Sequence, residues 1–532
     1  MSTEHEILDP GYYDMGLNSY EGDEPYIFIS YSHVDVPKVR PILARIDREK
    51  FRYWYDDTME IGEDFRHELQ TKIEKCHAFL IFISPASMQS KYCGMEIIMA
   101  FKNNKRIFPV YLDDNTEIPG PLKMILENLQ HVKSASIAKD ARYLDKLIES
   151  LPTETMRSLS IEDGVLIRCK DGSNALTIPE DVRIVGEGAF KNCEKLERLE
   201  IGSSVEAMLT EACRGCKRLT SLVLPENVRT VGESAFRDCT SMLSLTVKND
   251  DIELGERAFE NCARLKDIVL ADGISEIYGG VFNSCKSLSA IKLPQNLTVL
   301  GESSFADCVS LEEIDIPEHV TKIDDMVFNG CINLTHIDMK DKITKVGKYA
   351  FKDCKSLESL TLPRSVNSIG IGPFRGCTKL KEIEVDPKSR YFKSVENVLF
   401  NKNKSVLVAF PPQKPITTYT IPDSVTVISA WAFCDCHNLE QIIIPDSVTE
   451  IGEGAFYQCD ALRSVIIPDS VDKIDDTAFR GCVNLEIVSI SDSVTEFGWG
   501  IFNGCNNIHV ICSDNSPAAK YCDKKNIPHS EH

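Results

Sequence analysis

The sequence predicts two folds in series: an α/β domain with a parallel sheet over residues 25–150, then a repeat solenoid over about 160–525. Two observations carry this. From Tyr26 onward, short apolar runs alternate with amphipathic stretches, the pattern of a parallel sheet covered on both faces. Beyond it, thirteen of the 20 cysteines recur at a fixed spacing from Cys193 to Cys505. Every step is 23 residues except the one from Cys377 to Cys436, which is 59. A fixed period of this length marks units that bury their apolar faces only against their neighbours.

In the first domain, Tyr26–Tyr31 reads as a buried strand, Val39–Asp47 as a helix and Phe51–Tyr55 as a second strand. Phe65–Cys76 is a second helix and Ala78–Ser84 a third strand. A third helix over Met95–Asn103, with Ser90 able to cap its start, precedes a strand at Arg106–Leu112. Ligands in such sheets bind beyond the carboxyl ends of the strands. Residues 1–24 hold seven acids and no Lys or Arg, and read as an acidic disordered tail.

The repeat is cleanest from Cys436 to Cys459. The alternation Ile442, Ile444 makes a short strand, Pro445 ends it, Gly452 permits a turn, and Phe456 fills the coil centre. Asp163-Gly164-Val165-Leu166 opens the array as a cap, and Asn397-Val398-Leu399-Phe400 lies in a larger inserted unit at about 378–435. Ser516–Tyr521 reads as the closing cap. The cysteines read as small buried side chains stacked coil upon coil; Cys213-x-x-Cys216 and Cys434-x-Cys436 are the pairs nearest to ligand or redox spacing. This pattern resembles the BspA-like leucine-rich repeat, which implies a recognition array for a protein or other ligand.

The net charge of −22 excludes some classes of partner. Residues 25–150 balance at eighteen acids against eighteen bases, so −15 falls beyond them. Such an array repels phosphates, and no nucleic-acid partner is expected. No apolar run is long enough to span a membrane, and the first residues lack a signal peptide's basic start and apolar core. The expectation is a cytoplasmic protein with free thiols.

Within the first domain, Phe28-Ile29-Ser30-Tyr31-Ser32, Trp54-Tyr55-Asp56, Gly62, Ile83-Ser84 and Ser90-Lys91-Tyr92-Cys93-Gly94-Met95-Glu96 follow one another in a specific order. Together they resemble a Toll/interleukin receptor (TIR) domain of the bacterial kind. The resemblance implies a flavodoxin-like parallel sheet and self-association through TIR–TIR contacts. It also implies that Asp56, Ile61 and Gly62 belong to the mobile BB loop, and that Glu96 is the catalytic residue in members that cleave NAD⁺. NAD⁺ would be substrate, with no cofactor and no metal. Trp54 and Tyr92 would stack on ligand rings, and Tyr31 and Ser32 would face the phosphates or ribose.

The residues have their own logic. Tyr92 and Glu96 are four apart, which places a ring and a carboxylate on one helical face. Breaking the nicotinamide–ribose bond builds positive charge on the sugar, which a carboxylate stabilises. Nicotinamide leaves as a neutral ring, so a single acid suffices. Ser32, His33 and Asp35 are too close along the chain for a catalytic triad. Cys93 reads as a packing residue. The two functional expectations are therefore a clustered NAD⁺-cleaving enzyme and a non-catalytic adaptor working through TIR–TIR contacts.

Overall fold

A computed structural model describes residues 17, 19–22, 24–49, 51–55, 63–113, 115–127, 129, 132–133, 142–152, 159–169 and 174–531. It divides into two compact units, Met1–Asn174 and Ala175–His532.

The first unit holds a five-stranded sheet of β1 (Ile27–Ser30), β2 (Tyr53–Tyr55), β3 (Ala78–Ile83), β4 (Arg106–Tyr111) and β5 (Val132–Lys133), in the order 2-1-3-4-5. Every pairing is parallel. This is the flavodoxin-like order, whose strand sequence reverses between β1 and β3. Among the described residues six α-helices accompany it: α1 (Val36–Arg48), α2 (Glu63–Lys75), α3 (Pro85–Gln89), α4 (Lys91–Lys102), α5 (Gly120–Leu126) and α6 (Arg142–Ser150). Because alternate strand residues face opposite ways, Ile27 and Ile29 pack with Val39 and Leu43 of α1 and Leu147 of α6. Phe28 packs on the other side, with Ile73 of α2, Ile97 of α4 and Leu122 of α5. Helix α4 begins four residues earlier than expected, because Ser90 caps it by accepting a hydrogen bond from the Cys93 amide at 3.3 Å.

One expectation is corrected. The described part of the acidic segment is packed on the domain. The Tyr20 amide donates to the Tyr53 carbonyl at 2.8 Å, the Tyr55 hydroxyl donates to the Leu17 carbonyl at 2.5 Å, and the Tyr20 side chain is buried. Glu21 receives the Trp54 indole N–H at 2.9 Å and pairs with Lys72. These residues cover the free edge of β2, which an exposed sheet edge requires. Composition hid this, because the segment works through backbone groups and tyrosine rather than aliphatic side chains.

In the second unit, coils stack with strands registered 23 residues apart, as in Ser221 opposite Ser244 and Leu245 opposite Ile268. The coil phenylalanines form a stack: Phe305 and Phe328 have ring centroids 6.0 Å apart, Phe328 and Phe351 5.6 Å, and all three are fully buried. Eleven of the thirteen ladder thiols donate to a main-chain carbonyl of the coil before them, as Cys308 does to Phe282 at 3.2 Å and Cys331 to Phe305 at 3.2 Å, whereas Cys436 lies 4.0 Å from the Cys434 carbonyl of its own coil. Cysteine is retained as a small side chain carrying one weak donor, which a buried carbonyl accepts. Cys213 takes a phenylalanine position and its carbonyl receives Cys239 at 3.3 Å.

The 59-residue step resolves into two parts. Phe410 stands 36 residues after Phe374 and 23 before Phe433, and it stacks on Phe433 at 4.9 Å. The inserted unit is therefore a long coil carrying the antiparallel hairpin Phe392–Val395 and Val398–Asn401, followed by a coil of normal length with Gln413 at the cysteine position. Glu396 and Asn397 turn that hairpin with φ of 48° and 67°; Asp163 and Gly164, at 49° and 76°, turn the antiparallel hairpin at the array's start. Two positive φ values in a row are those of a type I′ turn. Helix α7 (Pro517–Lys525) closes the array: Ser516 caps it, Ala518 and Cys522 are buried, and the Tyr521 ring stacks on Phe497 at 4.8 Å.

Two predictions arise here. Gly330 has φ of 76°, and a Cβ there would lie 2.2 Å from Asp307 Oδ1 in the coil before it. Gly330→Ala is expected to lose about 2 kcal/mol, since left-handed backbone costs an L-residue about 1–2 kcal/mol before any clash is counted. Urea denaturation measures it, and an unchanged midpoint contradicts it. The second concerns pH. Burial pushes the Cys308 thiol from its ordinary 9.0 up to about 12. The native state thus holds this proton more tightly than the unfolded chain. The stabilisation is whole below pH 9.0 and drains away as pH rises towards 12. The thermal midpoint is expected to fall above about pH 9; a midpoint that rises there contradicts the assignment.

Candidate functional site

The carboxyl ends of β1 and β3 meet at the switch point, and two buried carboxylates gather there. Glu96, on the second turn of α4, is 8 % exposed and accepts a hydrogen bond from the hydroxyl of Ser30, the last residue of β1. Ser30 faces α4 because it follows Phe28 by two positions on the same side of the sheet. Asp35, also buried, accepts from the Ser84 hydroxyl at the end of β3. Ser84 caps α3 as well, and its capping box with Ser87 fixes its orientation. The Cys93 thiol lies 3.5 Å from the Tyr31 carbonyl and ties the end of β1 to α4. Burial, reinforced by the Glu96 carboxylate, pushes that thiol up to about 12. It is protonated at neutral pH and is no nucleophile.

The residues expected to hold a ligand divide into three groups. Glu96 stands at the crevice, and Tyr92 lies one turn before it with 38 % of its surface exposed. The shared face is real but stepped: the ring is at the surface and the carboxylate beneath it. Ser32 is half-buried and caps the short 3₁₀ turn His33–Asp35 without a side-chain hydrogen bond. Tyr31 and Trp54 differ from expectation. Tyr31 is buried, with its ring against His33 and Tyr55. Trp54 is a core residue: its ring packs on Phe28 at 5.0 Å, Lys72 lies over it at 5.3 Å, and Glu21 holds its N–H. With Phe28 on one side and Lys72 over it, the Trp54 ring is no open stacking platform. It points inward because position 54 pairs with Phe28 across the sheet and shares its side. Asp56, Ile61 and Gly62 lie outside the described residues.

Ser30, Asp35 and Ser84 were not singled out as site residues from the sequence. A signal was present: Ile-Phe-Ile-Ser occurs twice, at 27–30 and 81–84, so two adjacent parallel strands each run out on serine at the carboxyl end, with Ser84 three positions beyond the residue that pairs with Ser30.

Fold and site together define a two-module chain, a TIR domain followed by a leucine-rich-repeat array. Residues 27–148 match the TIR domain family model. The model described as "BspA type Leucine rich repeat region (6 copies)" matches 160–289, 208–334, 275–407 and 407–519. The chain belongs to the BspA-type leucine-rich-repeat family and carries a TIR domain at its N-terminal end. No curated relative matches. Among solved structures, a leucine-rich repeat protein from Bacteroides ovatus is 25% identical, over 69% of this chain and 87% of its own, with a TM-score of 0.44. A leucine rich cell surface protein from Faecalibacterium prausnitzii is 24% identical, over 67% of this chain and 92% of its own, with a TM-score of 0.47. Among the described residues no helix is long and apolar enough to cross a membrane. A TIR domain joined to leucine-rich repeats supports a signalling or immune-type role, since both modules generally act through protein contacts.

Proposed function

We propose that the TIR domain cleaves NAD⁺ when the repeat array gathers copies of the chain around a ligand. The observation that supports this is Glu96, a buried carboxylate at the switch-point crevice, oriented by Ser30. In the reaction the C1′–N bond breaks, nicotinamide leaves with the bonding electron pair, and positive charge develops on the ribose. Glu96 stabilises that charge electrostatically, and its partial desolvation strengthens the effect. Attack by water, with loss of a proton, gives ADP-ribose; attack by a hydroxyl of the same molecule gives a cyclic product. Tyr92 offers an open ring one turn away. Head-to-tail contacts between neighbouring TIR domains complete the site, so activity depends on assembly. Such head-to-tail contacts build open filaments, and a shared ligand raises local concentration enough to start them. The activity belongs in the cytoplasm, where free thiols persist.

A second reading, a non-catalytic adaptor, is favoured by the packed rings of Tyr31 and Trp54, which leave Tyr92 as the open ring beside the carboxylate. Nicotinamide release by the full chain, free in solution and tethered at high density, separates the two. Release that rises with tethering is expected; none in either state selects the adaptor.

A further inference from the structure

Each long strand of the array turns alternate side chains outward, and on three neighbouring strands of the last coils one of these positions is an isoleucine. Strands Gln441–Ile443, Ser464–Ile467 and Ile487–Ile490 run parallel, with Gln441 opposite Ser464, Ser464 opposite Ile487 and Ile466 opposite Ser489. Their inward residues Ile442, Val465 and Val488 are buried, as the coil requires. Their outward residues Ile443, Ile466 and Ile487 are 46 %, 70 % and 45 % exposed. Coil packing does not demand this, since the outward row of Ile443 and Ile466 carries Asp315 and Asp338 earlier in the array, and the neighbouring row of Ile487 carries Glu313 and His336. Three isoleucines on adjacent central strands leave a patch on the order of 300 Å², a size at which such patches are often functional.

A line of charge borders the patch. Asp446, Asp469 and Asp492 follow the three strands at the 23-residue period, and all are exposed. Other acids of the array are paired, such as Glu358 with Lys381 and Asp341 with Arg364. These three have no ion-pair partner among the described residues. Like charges on neighbouring strands repel, and a cation laid along them removes that repulsion.

We propose that this face docks an amphipathic, cationic protein segment. Its apolar side chains cover Ile443, Ile466 and Ile487, and its lysines or arginines lie along the aspartates. The aspartate row excludes a nucleic acid by the same electrostatics that favour a basic peptide. The proposal rests on the reading of the array as the sensing element, and its test does not require NAD⁺ cleavage.

The probe is a fluorescent helical peptide of leucine and lysine, titrated with the full chain at about 0.15 M salt, where surface charges more than roughly 8 Å apart are screened. The controls are the same peptide with glutamate for lysine and with serine for leucine. The leucine–lysine peptide is expected to bind and both controls to fail. Ile466→Ser is expected to weaken binding roughly tenfold, as loss of a central anchor does. Asp446→Asn with Asp469→Asn is expected to weaken it and flatten its salt dependence. Val269→Ser, at another outward position that is 60 % exposed, is expected to change nothing. Binding that survives Ile466→Ser, or falls equally in Val269→Ser, overturns the proposal. So does concentration-dependent dimerisation that Ile466→Ser abolishes, which makes the face an interface between copies. Peptide binding without nicotinamide release leaves the docking face standing and counts against the catalytic reading alone.

Discussion

Glu96→Gln is expected to reduce nicotinamide release by the tethered chain about 10²–10³-fold, the loss that follows removal of one preorganised electrostatic group. The substitution keeps the shape and still accepts the Ser30 hydroxyl through the amide oxygen, but removes the charge. KM is expected to change little, because the carboxylate acts on charge that appears only in the transition state. Ser30→Ala tests orientation: kcat is expected to fall less than for Glu96→Gln, with protein stability nearly kept. Tyr92→Ala, at an exposed ring, is expected to raise KM and spare the fold. Equal activity in wild type and Glu96→Gln would sink the catalytic reading and leave the adaptor.

Phe328→Ala is expected to cost about 3–5 kcal/mol, the range for truncating a fully buried aromatic. Phe328 has both faces occupied, by Phe305 and Phe351, so the cavity opens in the middle of a continuous ring stack. In a solenoid, stability is close to a sum of coil and interface terms. Two interfaces weaken at once, and the array is expected to open there first. Urea unfolding gives the total, and hydrogen exchange locates the opening. Loss of less than about 1 kcal/mol, or uniform loss of protection along the array, would show that the rings do not carry the stacking.

The array was almost fully legible in the sequence, because each coil contacts only its neighbours and local spacing equals spatial spacing. The strand at Ile442 and the central Phe456 follow from one 23-residue unit, whereas Gly452 serves the close approach of the preceding coil, where a Cβ would lie 2.6 Å from the Ala430 amide, and the positive φ of the turn falls at Gly454. The split of the 59-residue step was less legible, since Gln413 interrupts the cysteine metre while Phe410 keeps the aromatic one. The parallel α/β class of the first domain was also readable from alternating apolar runs. Its site was readable only in part. The placing of Glu96 and Tyr92 on one helix was readable, but the partner that orients the carboxylate was not, because Ser30 and Glu96 are 66 residues apart.

The sequence alone determined the two-module order, the period of the coils, the burial of twelve of the thirteen ladder cysteines and the helix that carries Glu96. Those features rest on near-neighbour contacts, and periodicity records them directly. Only the tertiary structure decided that Trp54 and Tyr31 are packed rings, that Leu17, Tyr20 and Glu21 contribute a cover over β2, and that Ser30 and Ser84 meet the two carboxylates. Each depends on which strands become neighbours and which side of the sheet a residue takes. No local pattern fixes that, because a half-buried strand reads the same from either face.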